Sequence, residues 1–218
     1  MAVLGQELDT YVFQQIKDRQ IYVAKGYSGL DERNGNHYKY YSSRTAWIKL
    51  ASGVELKFPG SKFGGGLKYP KKYVLFNGTS YKGKTLRSGL GYEKSYDTSD
   101  PDYGLVPMPG IESANIKNLN RGSLKKAIIK FKVNSKRQFE IIDELYLRLG
   151  YNMMLEWGWS HYVSGKSLKT LGSTIIETEW FNSSTGRDYE YFLDEISKKR
   201  KEYEGNYDAM FARVVNFN

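Results

Sequence analysis

The chain has 218 residues, of which 40% are hydrophobic and 15% aromatic, and this composition excludes a disordered protein. It contains no cysteine, which excludes disulfides, thiolate zinc sites, iron–sulfur clusters and cysteine nucleophiles. The formal net charge of +9 suggests an acidic partner such as a nucleic acid, so the location of the charge matters.

Membrane insertion and secretion are not indicated by the hydropathy pattern. No apolar stretch approaches the roughly 20 residues that a membrane helix needs. The N-terminal run "MAVLGQELDTYVF" lacks a basic region followed by an apolar one, as a signal peptide would have. We therefore expect a soluble protein with no membrane anchoring.

The first predicted elements are a short helix and up to three strands. The helix is predicted over Asp9–Gln20, because Asp9 can cap its N-terminus and apolar residues follow at helical spacing. The alternating run 45–58 predicts two short strands or a hairpin around Gly53. The apolar run 72–76 predicts another strand.

A basic, glycine-rich segment covers residues 61–95. It holds eight lysines and arginines against Glu93 alone, a local charge of +7 out of the total of +9. Its seven glycines are Gly64, Gly65, Gly66, Gly78, Gly83, Gly89 and Gly91. We expect a surface loop or arm here, and no helix and little strand between 78 and 106.

The stretch "PMPGIESANIKNLNRGSLKKAIIKFKVNS" predicts a β-hairpin. Pro107 and Pro109 fix φ and cannot donate hydrogen bonds, so they should form a rigid, extended lead into a strand from Ile111. A turn at 120–122 should connect that strand to a second one. In the second strand apolar residues alternate with lysines, which predicts one buried and one solvated face: Ala127, Ile129, Phe131 and Val133 against Lys126, Lys130 and Lys132.

A helix is predicted at about 136–149. Ser135 followed by Gln138 is a capping-box signature, and Gly150 can end the helix. The apolar residues expected on its buried face are Phe139, Ile142, Leu145, Tyr146 and Leu149.

The C-terminal third predicts a strand, a second helix and a last strand. "YNMMLEWGW" places Met153, Leu155, Trp157 and Trp159 on one side of a strand, where the tryptophans suit a core or a subunit contact. The helix is predicted at about 188–203, stopped by Gly205. "AMFARVVNF" should close the chain as a strand that is apolar on both faces.

Residues Gly78–Thr85 spell G-x-x-x-x-G-K-[ST], the pattern of a phosphate-binding loop. Such a loop needs a helix directly after it, but Gly89 and Gly91 fall within the first two turns of any helix there. Crossover helices of a parallel nucleotide-binding sheet are also missing between Lys84 and Ser135. We therefore interpret the string as a glycine-rich loop, with a nucleotide hydrolase as the minor alternative.

Other chemistry-bearing residues do not form a catalytic or metal-binding pattern. His37 and His161 lack a second histidine at ligand spacing, and no G-x-S-x-G serine is present. Asp143, Glu144 and Glu156 lie where a solvated or ion-paired carboxylate is commoner than a general acid or base. We predict no enzyme activity, no catalytic residues, no cofactor and no metal.

Several runs resemble the tail hub proteins of tailed bacteriophages, a family related to the baseplate hub of contractile tails. The more specific ones are "YGLVPMPGIESANIKNLNRGSLKKA" and "QFEIIDELYLRLGYNMMLEWGWS". "QQIKDRQ", "RTAWIKLASGVEL", "KKYVLFNGTS" and "YEGNYDAMFARVVNFN" extend the resemblance over most of the chain.

The resemblance implies a tail-tube-like β-barrel or sandwich with packed helices, so a single hub domain over 1–218. It implies a structural virion protein that forms a ring, a trimer or a hexamer, and continues the lumen of the tail tube. The implied partners are the tail tube protein and the tip or spike protein, with DNA only as passing cargo. The location would be the phage tail, assembled in the cytoplasm of the host bacterium. Because related hubs continue beyond the last run, the chain is either a short hub or the N-terminal portion of a longer one.

A nucleic-acid-binding module is the principal alternative. It would use the 61–95 segment, where Tyr69, Tyr73, Tyr81 and Tyr92 lie among the lysines as stacking platforms for bases.

Overall fold

A computed structural model of the chain describes residues 12–14, 16–17, 42, 45–54, 73–78, 99–100, 104–119, 124–164, 167–181 and 188–218. In chain order the elements are β1 (Ala46–Ser52), β2 (Leu75–Asn77), β3 (Ser99–Asp100), β4 (Gly104–Leu105), β5 (Gly110–Leu119), β6 (Leu124–Lys132), α1 (Lys136–Tyr146), β7 (Asn152–Trp159), β8 (His161–Ser164), β9 (Ser167–Thr170), α2 (Ile175–Thr178), α3 (Tyr189–Glu202) and β10 (Tyr207–Arg213). This mixture of many strands and few helices confirms the predicted strand-rich α+β class.

The centre of the fold is a four-stranded antiparallel sheet in the order β10-β7-β1-β2. The strand β7 lies between β1 and β10, and residues 153–156 are buried on both of its faces. The outer strands β2 and β10 leave the sheet open, so over the described residues the strands do not close into the predicted barrel.

Helices cover one face of this sheet. Side chains alternate between the faces of a strand, so Lys49 of β1 and its register partner Glu156 of β7 lie on the same face. The ring of Trp180, just after α2, lies 5.0 Å from that of Phe192 in α3 and 5.8 Å from that of Phe211 in β10. These aromatic contacts fix α2 and α3 on the face that carries Lys49.

The other face is covered by α1 and by the β5–β6 hairpin. Ser52 at the end of β1 donates a hydrogen bond to the Leu145 carbonyl of α1 at 2.7 Å. From the hairpin, the Lys125 ammonium lies 5.9 Å from the ring of Trp157 and 3.5 Å from the carboxylate of Asp208. The sheet is thus a middle layer between two helices and a helix with a hairpin.

The predicted hairpin at 110–133 is confirmed as β5 and β6, with an irregularity between Ile111 and Ser113. The predicted alternation is confirmed in β6, where the apolar side chains are half-buried and the lysines of the other face are exposed. The predicted turn at 120–122 lies outside the described residues.

The predicted N-cap of α1 is confirmed, but its C-terminal bound is wrong. Ser135 Oγ accepts a hydrogen bond from the Gln138 N–H at 3.2 Å, and Gln138 Oε1 accepts one from the Asn134 N–H at 2.9 Å. The helix ends at Tyr146, so Leu149 lies beyond it and is exposed, and Phe139 at the edge of the buried face is also exposed.

The first residues of the proline run before the hairpin are tied to the start of α1. The carbonyl of Pro107 accepts hydrogen bonds from Gln138 Nε2 at 2.9 Å and from Asn134 Nδ2 at 3.1 Å. The strand then begins at Gly110. The carbonyls of Pro107 and Met108 thus anchor the start of the helix, and the extended conformation of "PMPG" stays a prediction.

The remaining predictions have mixed outcomes. The helix predicted at 188–203 is confirmed as α3, and Gly205 after it has φ +74°. Within the helix predicted over Asp9–Gln20, the described residues 12–14 and 16–17 are helical.

The strands predicted near both ends of the chain differ in extent. The run 45–58 contributes β1, which pairs with β2 and β7, and residues 55–58 lie outside the described part. The strand predicted to the end of the chain stops at Arg213, and Val214 just beyond it still exchanges hydrogen bonds with Gly150 and Tyr151.

The basic 61–95 segment is not a loop throughout. Its residues 73–78 contain β2, in which Leu75 is fully buried against the core, next to buried Val74. Apolar residues inside the basic segment therefore complete the sheet. The parts at 61–72 and 79–95 lie outside the described residues.

Candidate functional site

The string that resembles a phosphate-binding loop begins with a glycine that has a structural role. Gly78 has φ +89°, and a Cβ atom added there would overlap the Ala46 carbonyl oxygen and lie 2.7 Å from the Trp47 Cα. The glycine is thus required where the chain leaves β2 against β1. Residues 79–85 lie outside the described part, so the interpretation of the string stays a prediction.

The carboxylates singled out from the sequence fall into two groups. Asp143 and Glu144 are ion-paired with Arg148, at 2.7 and 3.0 Å from its Nη2, as expected for surface groups. Glu156 is different, since it is completely buried. The expectation of a solvated or ion-paired carboxylate is wrong for Glu156, because β7 is the central strand and α2 covers it.

Glu156 belongs to a buried polar cluster, which also contains Lys49, Thr174, Glu177 and Tyr207. The Lys49 ammonium lies 2.5 Å from Glu177 Oε1 and 3.1 Å from Thr174 Oγ1. The Lys49 side chain is only 1% exposed, and that of Glu177 is 31% exposed. The ion pair thus reaches from the covered face of the sheet to the surface.

Glu156 holds the start of α2 against the sheet. Its Oε1 accepts hydrogen bonds from the N–H groups of Ile175 and Ile176, at 2.6 and 3.2 Å, and from the Tyr207 hydroxyl at 2.7 Å. The two amides are among those that a helix leaves unpaired at its N-terminus. One carboxyl oxygen therefore joins α2, β7 and β10.

Burial raises the pKa of Glu156, and the nearby Lys49 charge opposes this only in part. Burial also raises the pKa of the Tyr207 hydroxyl, with a further contribution from Glu156. The cluster has one lysine and two glutamates. Burial thus favours the protonated form of Glu156, because removal from water penalises the charged carboxylate.

A carboxyl group with a raised pKa is a feature of acid–base catalysts, but the space around this one does not suit a substrate. The adjoining cavity has about 30 Å³, room for a water molecule, and is lined by Trp47, Lys49, Ser160, Leu171, Gly172, Thr174 and Glu177. The geometry supports a structural role for the cluster.

The state of Glu156 predicts a pH dependence of stability. A folded-state pKa above the ordinary glutamate value of 4.5 makes the folded chain bind the proton more tightly than the unfolded chain. The stability from this group is therefore present below that value and is lost as pH rises through the raised pKa. We expect Glu156→Gln, which keeps the accepting oxygen, to flatten this decline when urea unfolding is compared at pH 5 and pH 8.

The exposed Glu140→Gln is the control for that measurement and should leave the pH profile unchanged. If Glu156→Gln lowers the free energy of unfolding by the same amount at pH 5 and at pH 8, relative to the wild type, Glu156 is ionised in the folded chain.

A second candidate site is the outer hairpin face, formed by the β5–β6 side chains that point away from the sheet. Its exposed aliphatic residues are Leu119, Leu124 and Ile128, and its exposed lysines are Lys117, Lys126, Lys130 and Lys132. Leu119 is paired with Leu124, and Lys117 with Lys126. None of the four lysines forms an ion pair with another described residue, so the described part of the chain leaves their positive charge unneutralised.

A groove of about 500 Å³ separates the hairpin from the sheet. Its walls include Trp157 and Trp159, which are half-buried. The sequence suggested either a core position or a subunit contact for these tryptophans. The structure places them at the margin of the core.

Histidine and metal chemistry do not add a site. His161 is buried beside Ser160, with 2.9 Å between Nδ1 and Oγ, and His37 lies outside the described residues. Within the described ranges, no three acidic or histidine side chains come together in a way that could hold a metal ion. None of the described helices has the length and apolar character needed to cross a membrane.

Comparison of the chain with protein-family models, with curated proteins and with solved structures found no match.

Sequence reasoning did not find the buried polar cluster. The sequence contained a signal in two places, each a charged residue inside an apolar strand: Lys49 in "WIKLA" and Glu156 in "MLEWGW". Only the register of β1 with β7 shows that these two residues are neighbours on the same face of the sheet.

Proposed function

We propose that this chain is a structural hub of a bacteriophage tail. It would form a ring, a trimer or a hexamer, that continues the tube lumen and joins the tail tube protein to the tip or spike protein. Its place would be the virion, after assembly in the bacterial cytoplasm, with DNA as passing cargo. The proposal comes from the resemblance of the sequence and is supported by the strand-rich α+β fold.

The observation that carries the proposal is the outer hairpin face. A two-stranded hairpin is marginally stable by itself and normally needs a partner on each apolar surface. Its inner face packs on the core, while Leu124 and Ile128 on the outer face are 53% and 48% exposed. A contiguous patch of exposed aliphatic side chains can mark a surface that another protein covers.

No catalytic constellation competes with this proposal among the described residues. The polar cluster of Glu156 and Lys49 has space for a water molecule but not for a substrate, and its contacts connect strands to a helix. We therefore propose a non-enzymatic protein.

The proposal is tested by the mass of the native assembly. We expect the full chain in native mass spectrometry to give three or six times the 25.1 kDa of the monomer, and negative-stain images to show rings with a central opening. A chain that stays monomeric up to high concentration would contradict the proposal.

Nucleic-acid binding remains the second candidate because of the +7 charge of segment 61–95. Tyr73, one of the four expected stacking residues, is half-buried and its carbonyl accepts a hydrogen bond from the Tyr146 hydroxyl. The same preparation should be titrated with DNA at several salt concentrations. A monomer whose DNA affinity falls steeply with salt would favour this alternative.

A further inference from the structure

The outer hairpin face has an electrostatic cost that no other described residue relieves. Lys117 and Lys126 are directly opposite in the β5–β6 register, and like charges at opposite positions destabilise a strand pair. Lys130 and Lys132 follow on the same face of β6, with Ile128 between Lys126 and Lys130. An acidic surface with some apolar area would relieve the repulsion and cover the aliphatic side chains.

A surface with this composition lies on α3 of the same chain. Glu190 and Asp194 are exposed and four residues apart on one side of the helix. The next lysine on that side, Lys198, is ion-paired with Glu195 and also interacts electrostatically with Asp194, whereas Glu190 has no ion pair with another described residue. Tyr189 and Leu193 are adjacent on that side and are 52% and 42% exposed. We call these four residues the acidic helix face.

The two surfaces cannot meet within one chain. The hairpin covers the sheet face that carries Trp157, whereas α3 packs by Phe192 on the opposite face, against Trp180 and Phe211. A contact between them must therefore join two copies. Because the two patches lie on opposite sides of the sheet, the same two copies cannot exchange both contacts; the contact is heterologous, and its repetition closes a ring or extends a filament.

We infer that the outer hairpin face of one copy docks on the acidic helix face of the next copy. Lysines 126 and 130 would meet Glu190 and Asp194, and Leu124 and Ile128 would pack on Leu193 and Tyr189. This inference rests on the proposed function, for which it names the contact that builds the ring.

A nucleic acid fits the hairpin less well than a second copy. The described side chains of the outer hairpin face include aliphatic residues but no aromatic ring on which a base could stack. Phosphate groups would neutralise the lysines but would leave Leu124 and Ile128 uncovered. The acidic helix face offers both kinds of complement.

Charge reversal tests the inference on the full chain. Lys126→Glu with Lys130→Glu, and separately Glu190→Lys with Asp194→Lys, should each weaken self-association at least about ten-fold in sedimentation at 0.15 M salt. Combining the four substitutions restores opposite charges across the contact and should recover the assembly. Circular dichroism and thermal melting check that each variant is folded.

Lys136→Glu with Glu140→Lys on the exposed side of α1 leaves the net charge unchanged, as the combined variant does, and as a control it should not change the assembly. If the wild-type chain forms rings and both charge-reversal variants form the same rings, the inference is overturned and the tail proposal stays intact. A combined variant that is folded but fails to recover would also overturn it. Loss of DNA binding in the lysine variant, without any effect of the helix variant on assembly, would assign the hairpin to a nucleic acid instead.

Discussion

Replacing Lys49 with methionine is expected to destabilise the folded chain by about 3 kcal/mol, the lower end of what removal of one partner from a buried ion pair costs. The ammonium is the 2.5 Å partner of Glu177 and also donates to Thr174 Oγ1. Without it, Glu177 keeps a charge that is only 31% exposed, and Glu156 loses the nearby charge that opposes its raised pKa. Urea unfolding at pH 7 and constant protein concentration measures the change.

The double substitution of Lys49→Met with Glu177→Gln separates the charge from the packing. It removes both members of the pair, so it should recover a large part of the loss, as apolar replacement of buried pairs often does. Equal instability of the single and double variants would mean that the unpaired charge of Glu177 is not the source of the loss, since methionine keeps most of the apolar stem of the lysine.

Gly78→Ala should be the most damaging change in the string that resembles a phosphate-binding loop. The added methyl group would overlap the Ala46 carbonyl oxygen, at a φ of +89° that alanine adopts only with strain. Backbone atoms of β1 cannot move aside without breaking the sheet, so we expect a loss of several kcal/mol, or no folded protein, by thermal melting.

Two control variants show whether the damage is structural. Gly150 has φ +81° with no neighbouring atom within 4 Å, so Gly150→Ala should cost only the conformational strain of about 1 kcal/mol. Lys84→Ala should leave stability and assembly unchanged, and the wild-type chain should not hydrolyse ATP. Magnesium-dependent ATP turnover that Lys84→Ala abolishes would restore the nucleotide interpretation.

Local signals in the sequence predicted local structure well. The pair Ser135 and Gln138 located the start of α1, and the alternation along β6 identified its buried face. The end of α1 was predicted too late, because Leu147 and Arg148 are good helix formers; beyond the helix, the Gly150 N–H donates a hydrogen bond to the Val214 carbonyl. That contact is long-range and leaves no local pattern.

The polar cluster could not be predicted for a similar reason. Lys49 and Glu156 are far apart in sequence and become neighbours only through the β1–β7 register. A single charged residue in an apolar strand is equally compatible with an edge position in water. Recognising Lys49 and Glu156 as buried requires knowing that β1 and β7 are the inner strands of the sheet.

The register of β1 with β7 also sets the order in which the chain can fold during synthesis. The Thr45 N–H donates a hydrogen bond to Ser160 Oγ, 115 residues away in sequence, and the two residues of every β1–β7 pair are more than 100 residues apart. At about 5–20 residues per second, a ribosome needs several seconds to deliver β7 after β1 has emerged. Until then Trp47, Leu50 and Ala51 stay exposed on the nascent chain, so this protein should depend on chaperones during translation more than its size suggests.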